Sequence, residues 1–80
     1  MKTYTVIEKQ INEENQQSII QNSFTDKNQA LSDTFSKLSY AALSTIPYHS
    51  VQLLEYDGPN VYISAGMAFD RSIPEPEEGL

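Results

Sequence analysis

Pro47 closes the one pattern in this chain that is long enough to make a substantial helix. A proline has no amide hydrogen to give a helix, and it pushes the preceding residue, Ile46, into extended backbone. Upstream, Thr25 or Asp26 offers an oxygen to the free amides of a first turn, and Asp26 to Gln29 has the spacing of a capping box. Between these limits Leu31, Phe35, Leu38 and Ala42 recur in steps of four, three and four, which predicts one apolar helix face. Lys27, Asn28, Asp33 and Lys37 lie away from that stripe. A lone amphipathic helix needs a flat apolar partner, and the flanking segments must supply it.

Those flanks read as strands. Thr3 to Ile11 combines Tyr4, Val6 and Ile7 with threonines, a composition that favours extended backbone. Asn12-Glu13-Glu14-Asn15 is rich in turn formers, and Gln17 to Phe24 gives a second strand through Ile19, Ile20 and Phe24. A helix through Glu13 to Gln21 competes with this hairpin, because Glu and Gln tolerate helix well. Ser50 to Tyr56 carries Val51, Leu53, Leu54 and Tyr56, too many apolar residues for clean alternation. Asp57-Gly58-Pro59-Asn60 is a strong turn, and Val61 to Phe69 follows as a strand with Val61, Ile63 and Ala65 expected on one face. Gly66 suits a bulge or the close approach of another backbone. The reading is α+β: ββαββ, a four-stranded antiparallel sheet with one long helix packed on one face. Residues 1–71 make a single domain, and 72–80, with two prolines and three glutamates, an acidic tail.

Eighty residues is near the lower limit for a domain that folds unaided. There is no cysteine, so disulfides and thiolate metal sites are excluded as support. Self-association is the remaining common route, and a homodimer or higher homo-oligomer is expected. The far side of the sheet must be either solvated or covered by another subunit.

The formal charge is −6, from five Lys/Arg against eleven Asp/Glu, and half of the imbalance lies in Glu75, Glu77 and Glu78. No basic stripe exists, which argues against direct nucleic-acid binding. An acidic surface serves solubility, or it meets a basic protein or imitates nucleic acid at a binding site. The opening MKTYTVIEKQ has no apolar stretch of signal-peptide length, and nothing approaches the ~18 apolar residues of a membrane span. No membrane partner and a cytoplasmic location are therefore expected.

His49, the one histidine, is the first candidate for chemistry. A catalytic histidine needs an orienting partner and a reacting proton within reach. Its neighbour Ser50 points to the opposite face of a strand, so the two do not form a local pair. No carboxylate stands in an evidently buried context, one histidine without cysteines makes no metal site, and three glycines at 58, 66 and 79 make no phosphate loop. No cofactor is implied. The aromatic and apolar surplus is more informative. The helix end carries Tyr40, Ala41, Ala42 and Leu43 in a row, apolar on nearly two sides. Tyr40, Leu43 and Ile46 are candidates for a subunit or partner contact, and Tyr40, Tyr48 and His49 for hydrogen bonding or stacking on a ligand such as a nucleotide base.

The run FTDKNQALSDTFSKLSYAALSTIPYHSVQLLEYDG resembles a pattern in small uncharacterised proteins of Firmicutes, their phages and mobile elements. The matching residues are Phe24, Ala30, Phe35, Ala41, Ala42, Ser44, Ile46, Pro47, His49, Val51, Leu53, Leu54 and Gly58. The resemblance spans under half of the chain. It implies the ββαββ layout and a mobile-element origin, and it carries no known active site.

Three functional readings follow. The first is a non-enzymatic binding or inhibitor protein, phage- or mobile-element-encoded, that occupies a host protein, as an anti-defence factor does. The second is an oligomeric sponge for a small nucleotide signal. The third, an enzyme using His49 as general base, has the least in its favour.

Overall fold

Extended segments rich in Tyr, Val, Ile and Thr pair side by side because each leaves a row of amides and carbonyls to satisfy. The structure, a computed structural model, describes residues 2–71 and contains four such strands. In chain order they are β1 (Lys2–Ile11), β2 (Gln17–Phe24), the helix α1 (Lys27–Leu43), β3 (Tyr48–Asp57) and β4 (Asn60–Asp70). They form one antiparallel sheet in the order β2-β1-β3-β4, with α1 across one face. This is the expected ββαββ architecture. The 72–80 tail lies outside the described residues.

The first hairpin replaces the competing helix over Glu13 to Gln21. Asn12 organises its loop: Oδ1 accepts from the amides of Glu14 at 3.0 Å and Gln16 at 2.9 Å, while Asn15 takes a positive φ of 63°. Asparagine tolerates that left-handed backbone better than most residues. The β3–β4 connection is tighter. Gly58 at φ 60° and Pro59 are its two central residues, the order that a type II′ turn requires.

The helix starts where its cap dictates. Asp26 Oδ1 accepts from the amides of Asn28 at 2.7 Å and Gln29 at 3.3 Å. The helix ends at Leu43, three residues before the backbone that Pro47 restricts, and its last carbonyls receive Arg71 from the far end of β4.

Its buried face is rotated from the expected stripe. Ala30, Thr34 and Ala41 are the buried helix residues, Leu31 and Leu38 are half-buried, and Phe35 and Ala42 are exposed. The sheet beneath is crowded by Tyr4, Val6, Val51 and Leu53, so small side chains at the contact let the helix approach. Thr34 tolerates burial because its hydroxyl donates to Ala30 O at 2.8 Å. The Asn22 amide on β2 meets the Asp33–Lys37 ion pair, which fixes that flank of the helix toward β2. Helical geometry then turns Leu31, Phe35, Leu38 and Ala42 toward β4.

The last strand also departs from simple alternation. Leu53 pairs with Ala65 and Leu54 with Ile63, leaving Ser64 as the extra residue of a bulge. Val61 and Ile63 therefore face away from the helix, whereas Ala65 packs against the core, and the three do not share a face. Gly66, next to the bulge, has the close approach expected of it: a Cβ there would stand 2.8 Å from the Val51 carbonyl oxygen.

Candidate functional site

Alternation along β1 and β3 decides which side chains lie under the helix. On β1 these are Tyr4, Val6 and Glu8, and on β3 His49, Val51 and Leu53, all buried. Glu8 and His49 sit diagonally on neighbouring strands, because Glu8 is opposite Val51 and His49 opposite Gln10. The His49 Nε2 is 2.8 Å from Glu8 Oε2. With the carboxylate ionised, it can only accept, so Nε2 donates. The other ring nitrogen, Nδ1, is buried and has no hydrogen-bond partner among the described residues.

This pair has the orienting half of a familiar catalytic arrangement, and the hydroxyls nearest it among the described residues do not complete it. A general base must reach a proton on a nucleophile or substrate. The His49 ring is fully buried. Ser50 lies on the opposite face of the sheet, and the Thr34 hydroxyl is committed to its own helix. Among the described residues, no group of three or more His, Cys, Asp or Glu side chains stands together as a metal site would require.

Glu8 is the residue that sequence reasoning missed. The signal was available, since Tyr4, Val6 and Glu8 alternate on one side of a strand whose two other members are apolar. A carboxylate at such a position is buried only with a partner, and the one histidine of the chain was the obvious one.

The five candidate residues fall into three places. Tyr40, Leu43 and Ile46 come together at the end of the helix, lining an open hollow of about 420 Å³ with Ser44 and Thr45. Tyr40 is 72% and Leu43 85% exposed, which is high for residues of their size and apolarity. Tyr48 lines a second cleft, of about 520 Å³, at the end of the sheet. There it meets Pro47, Ile11, Glu13, Asp70 and Arg71, and its ring stacks under the Lys9 ammonium at 5.8 Å. His49 belongs to neither, being turned under the helix with Glu8.

The electrostatics of the Tyr48 cleft are mixed. The carboxylates of Glu13 and Asp70 line it with one guanidinium, that of Arg71. That cation is already engaged: Nη2 donates to Ala41 O at 2.9 Å and Ala42 O at 3.2 Å, and the group stacks on the Phe69 ring at 5.1 Å. Its backbone amide also donates to Pro47 O at 2.6 Å. Arg71 thus ties the end of β4 to the helix terminus and to the turn into β3, where a cation complements the helix dipole.

Comparison with protein-family models, with curated proteins and with solved structures finds no match for this chain. Among the described residues no helix is long and apolar enough to cross a membrane. The fold is α+β, one four-stranded antiparallel sheet with a single helix packed on it.

Proposed function

We propose that this chain is a non-enzymatic binding protein that acts by occupying a protein of its host cell, with the phage or mobile-element origin that the sequence resemblance implies. The observation that carries the reading is the hollow at the helix end. Tyr40 and Leu43 project apolar surface into solvent beside Ile46, where the fold gains nothing from them. Exposed aromatic and aliphatic groups gathered at one spot are what a protein interface uses as anchors. The burial of the one histidine beneath the helix, hydrogen-bonded to Glu8, supports the non-enzymatic reading. Inhibition of the partner would follow from simple occlusion.

The nucleotide-binding alternative has the Tyr48 cleft as its natural seat, since a tyrosine face can stack on a base. The carboxylates of Glu13 and Asp70 oppose a phosphate there, and Arg71 is committed to the helix end. Protein binding is the better supported of the two.

The test is affinity capture from host lysate with the wild-type chain and with a Tyr40→Ser/Leu43→Asp variant in parallel. A stoichiometric partner held by the wild type and lost by the variant is the expected result. Capture unchanged by the variant, or none from several hosts, overturns it. Thermal-shift screening with nucleotides decides the alternative, because ligand at a hundredfold its dissociation constant adds about 2.7 kcal/mol.

A further inference from the structure

The two edges of the sheet differ in a way that neither core packing nor solubility requires. The β2 edge, QSIIQNSF, also lacks charge and proline, but it is shorter and mostly polar. The β4 edge, NVYISAGMAFD, is longer and carries no charged residue and no proline before Asp70. Exposed edges are normally blunted by lysines, prolines or short strands, because a bare row of amides and carbonyls templates another strand. Among the described residues nothing pairs with the outer side of β4. Its bulge at Ser64 lies near the middle, which leaves Ala65 to Asp70 as a regular run.

The helix adds a second apolar element on the same side. The flank turned toward β4 carries Phe35, 59% exposed, and β4 itself presents Met67, 56% exposed, on the helix side of the sheet. Lys27 pairs with Glu55 of β3 near the start of the helix and Arg71 bonds the carbonyls at its end, so α1 runs along β3, next to β4, with Phe35 near its middle.

We propose that β4 pairs antiparallel with β4 of a second copy of this chain, about a two-fold axis at Met67. In that register Met67 faces its own counterpart, Ala65 faces Phe69, and Gly66 faces Ala68. Each large side chain on the helix side thus lies opposite a small one or a flexible methionine, the alternation that lets facing rows interdigitate. The two sheets merge into one of eight strands with both helices on the same face. The Phe35 flanks approach each other above the axis. Asp70 falls opposite Ser64, so within the paired run no acidic group faces another. A second copy is the occupant that meets every requirement at once: a strand of matching length, an uncharged edge and an apolar helix flank beside it. It also supplies the burial that a core of six buried apolar residues leaves short.

Sedimentation analysis of the full chain up to about 1 mM, the concentration range of weak association, tests this directly. The expected species has twice the 9.0 kDa chain mass. Met67→Lys places two like charges opposite each other and is expected to weaken association about tenfold or more, with the thermal melt confirming that the variant is folded. Because the chain has no cysteine, Met67→Cys supplies a clean probe. Facing residues on antiparallel strands stand about 4.5–5.5 Å apart, inside the span of a disulfide. Mild oxidation is expected to cross-link Met67→Cys quickly and Ile19→Cys, about half-exposed on β2, slowly. A monomer at every concentration overturns the proposal. So does a dimer that survives Met67→Lys, or one that cross-links no faster at 67 than at 19.

Discussion

His49 and Glu8, separated by most of the central sheet in sequence, share a 2.8 Å hydrogen bond beneath the helix, and each is shielded almost completely from water. Their burial is tolerable only as a pair. A polar group taken out of water costs its full desolvation when its partner is removed, whereas two apolar replacements of similar size cost little. His49→Leu is therefore expected to lower stability by about 3 kcal/mol, by stranding the Glu8 carboxylate. The double variant Glu8→Leu/His49→Leu should recover most of that loss. Urea denaturation of both singles and the double closes the cycle, and additive losses would show that the pair is not coupled.

Gly66 gives a prediction of steric origin. A Cβ at this position would stand 2.8 Å from the Val51 carbonyl and 3.1 Å from the Gln52 Cα, both backbone atoms of the neighbouring strand. Gly66→Ala must push β4 away from β3, at a cost of about 1–3 kcal/mol. Gly58 makes the comparison sharp. Nothing lies within 4 Å of its missing Cβ, yet its φ of 60° strains any other residue. Gly58→Ala is expected to cost only about 1–2 kcal/mol, from the backbone alone. In a domain of this size each kcal/mol moves the melting temperature by about 4–8 °C, so calorimetry detects both losses, and an unchanged melt for Gly66→Ala would contradict the close approach.

Much of this could be read from residues acting locally, and what could not be read depended on contacts between elements. Asp26 and Pro47 act on their own backbone, so the helix limits were legible. The turn at Gly58-Pro59 was legible for the same reason. The face of the helix was not, because hydropathy favours Phe35 over Thr34, while the sheet beneath selects for size and lets Thr34 in with its hydroxyl satisfied. The bulge at Ser64 shifts every later side chain on β4 to the other face, and no residue type announces it. Of the candidate site, the gathering of Tyr40, Leu43 and Ile46 follows from their closeness in sequence. The separation of His49 from Tyr48 follows from strand alternation. Glu8 was hidden because its partner, His49, lies on another strand and 41 positions away in sequence.

Both ends of the helix depend on a single side chain, and each gives a measurable loss. Asp26→Ala removes the acceptor for the amides of Asn28 and Gln29, and about 1 kcal/mol is the expected cost. Asp26→Ser should keep most of the cap. Arg71→Ala removes two hydrogen bonds to the final helix carbonyls, with a loss of about 1 kcal/mol. Arg71→Lys should recover less than half, because an ammonium does not reproduce the guanidinium plane that stacks on Phe69. Thermal melts of the four variants check these orders, and a neutral Arg71→Ala would remove Arg71 from its place in the fold.

The two exposed apolar regions, the helix end and the β4 edge, should fail independently. Tyr40 and Leu43 stand on the solvent side of the helix, away from the flank that carries Phe35. Replacing both with serine removes no buried contact, so stability should stay within about 0.5 kcal/mol of wild type. The same change is expected to abolish capture of a host protein and leave the sedimentation behaviour unaltered. Met67→Lys should do the reverse, since it alters the strand edge and leaves Tyr40, Leu43 and Ile46 in place. Sedimentation and capture run side by side on the two variants give a four-way comparison. If Tyr40→Ser/Leu43→Ser dissociates the dimer, the helix end is the subunit contact and β4 is not. If Met67→Lys alone abolishes capture, the partner binds the strand edge, or it recognises only the paired form.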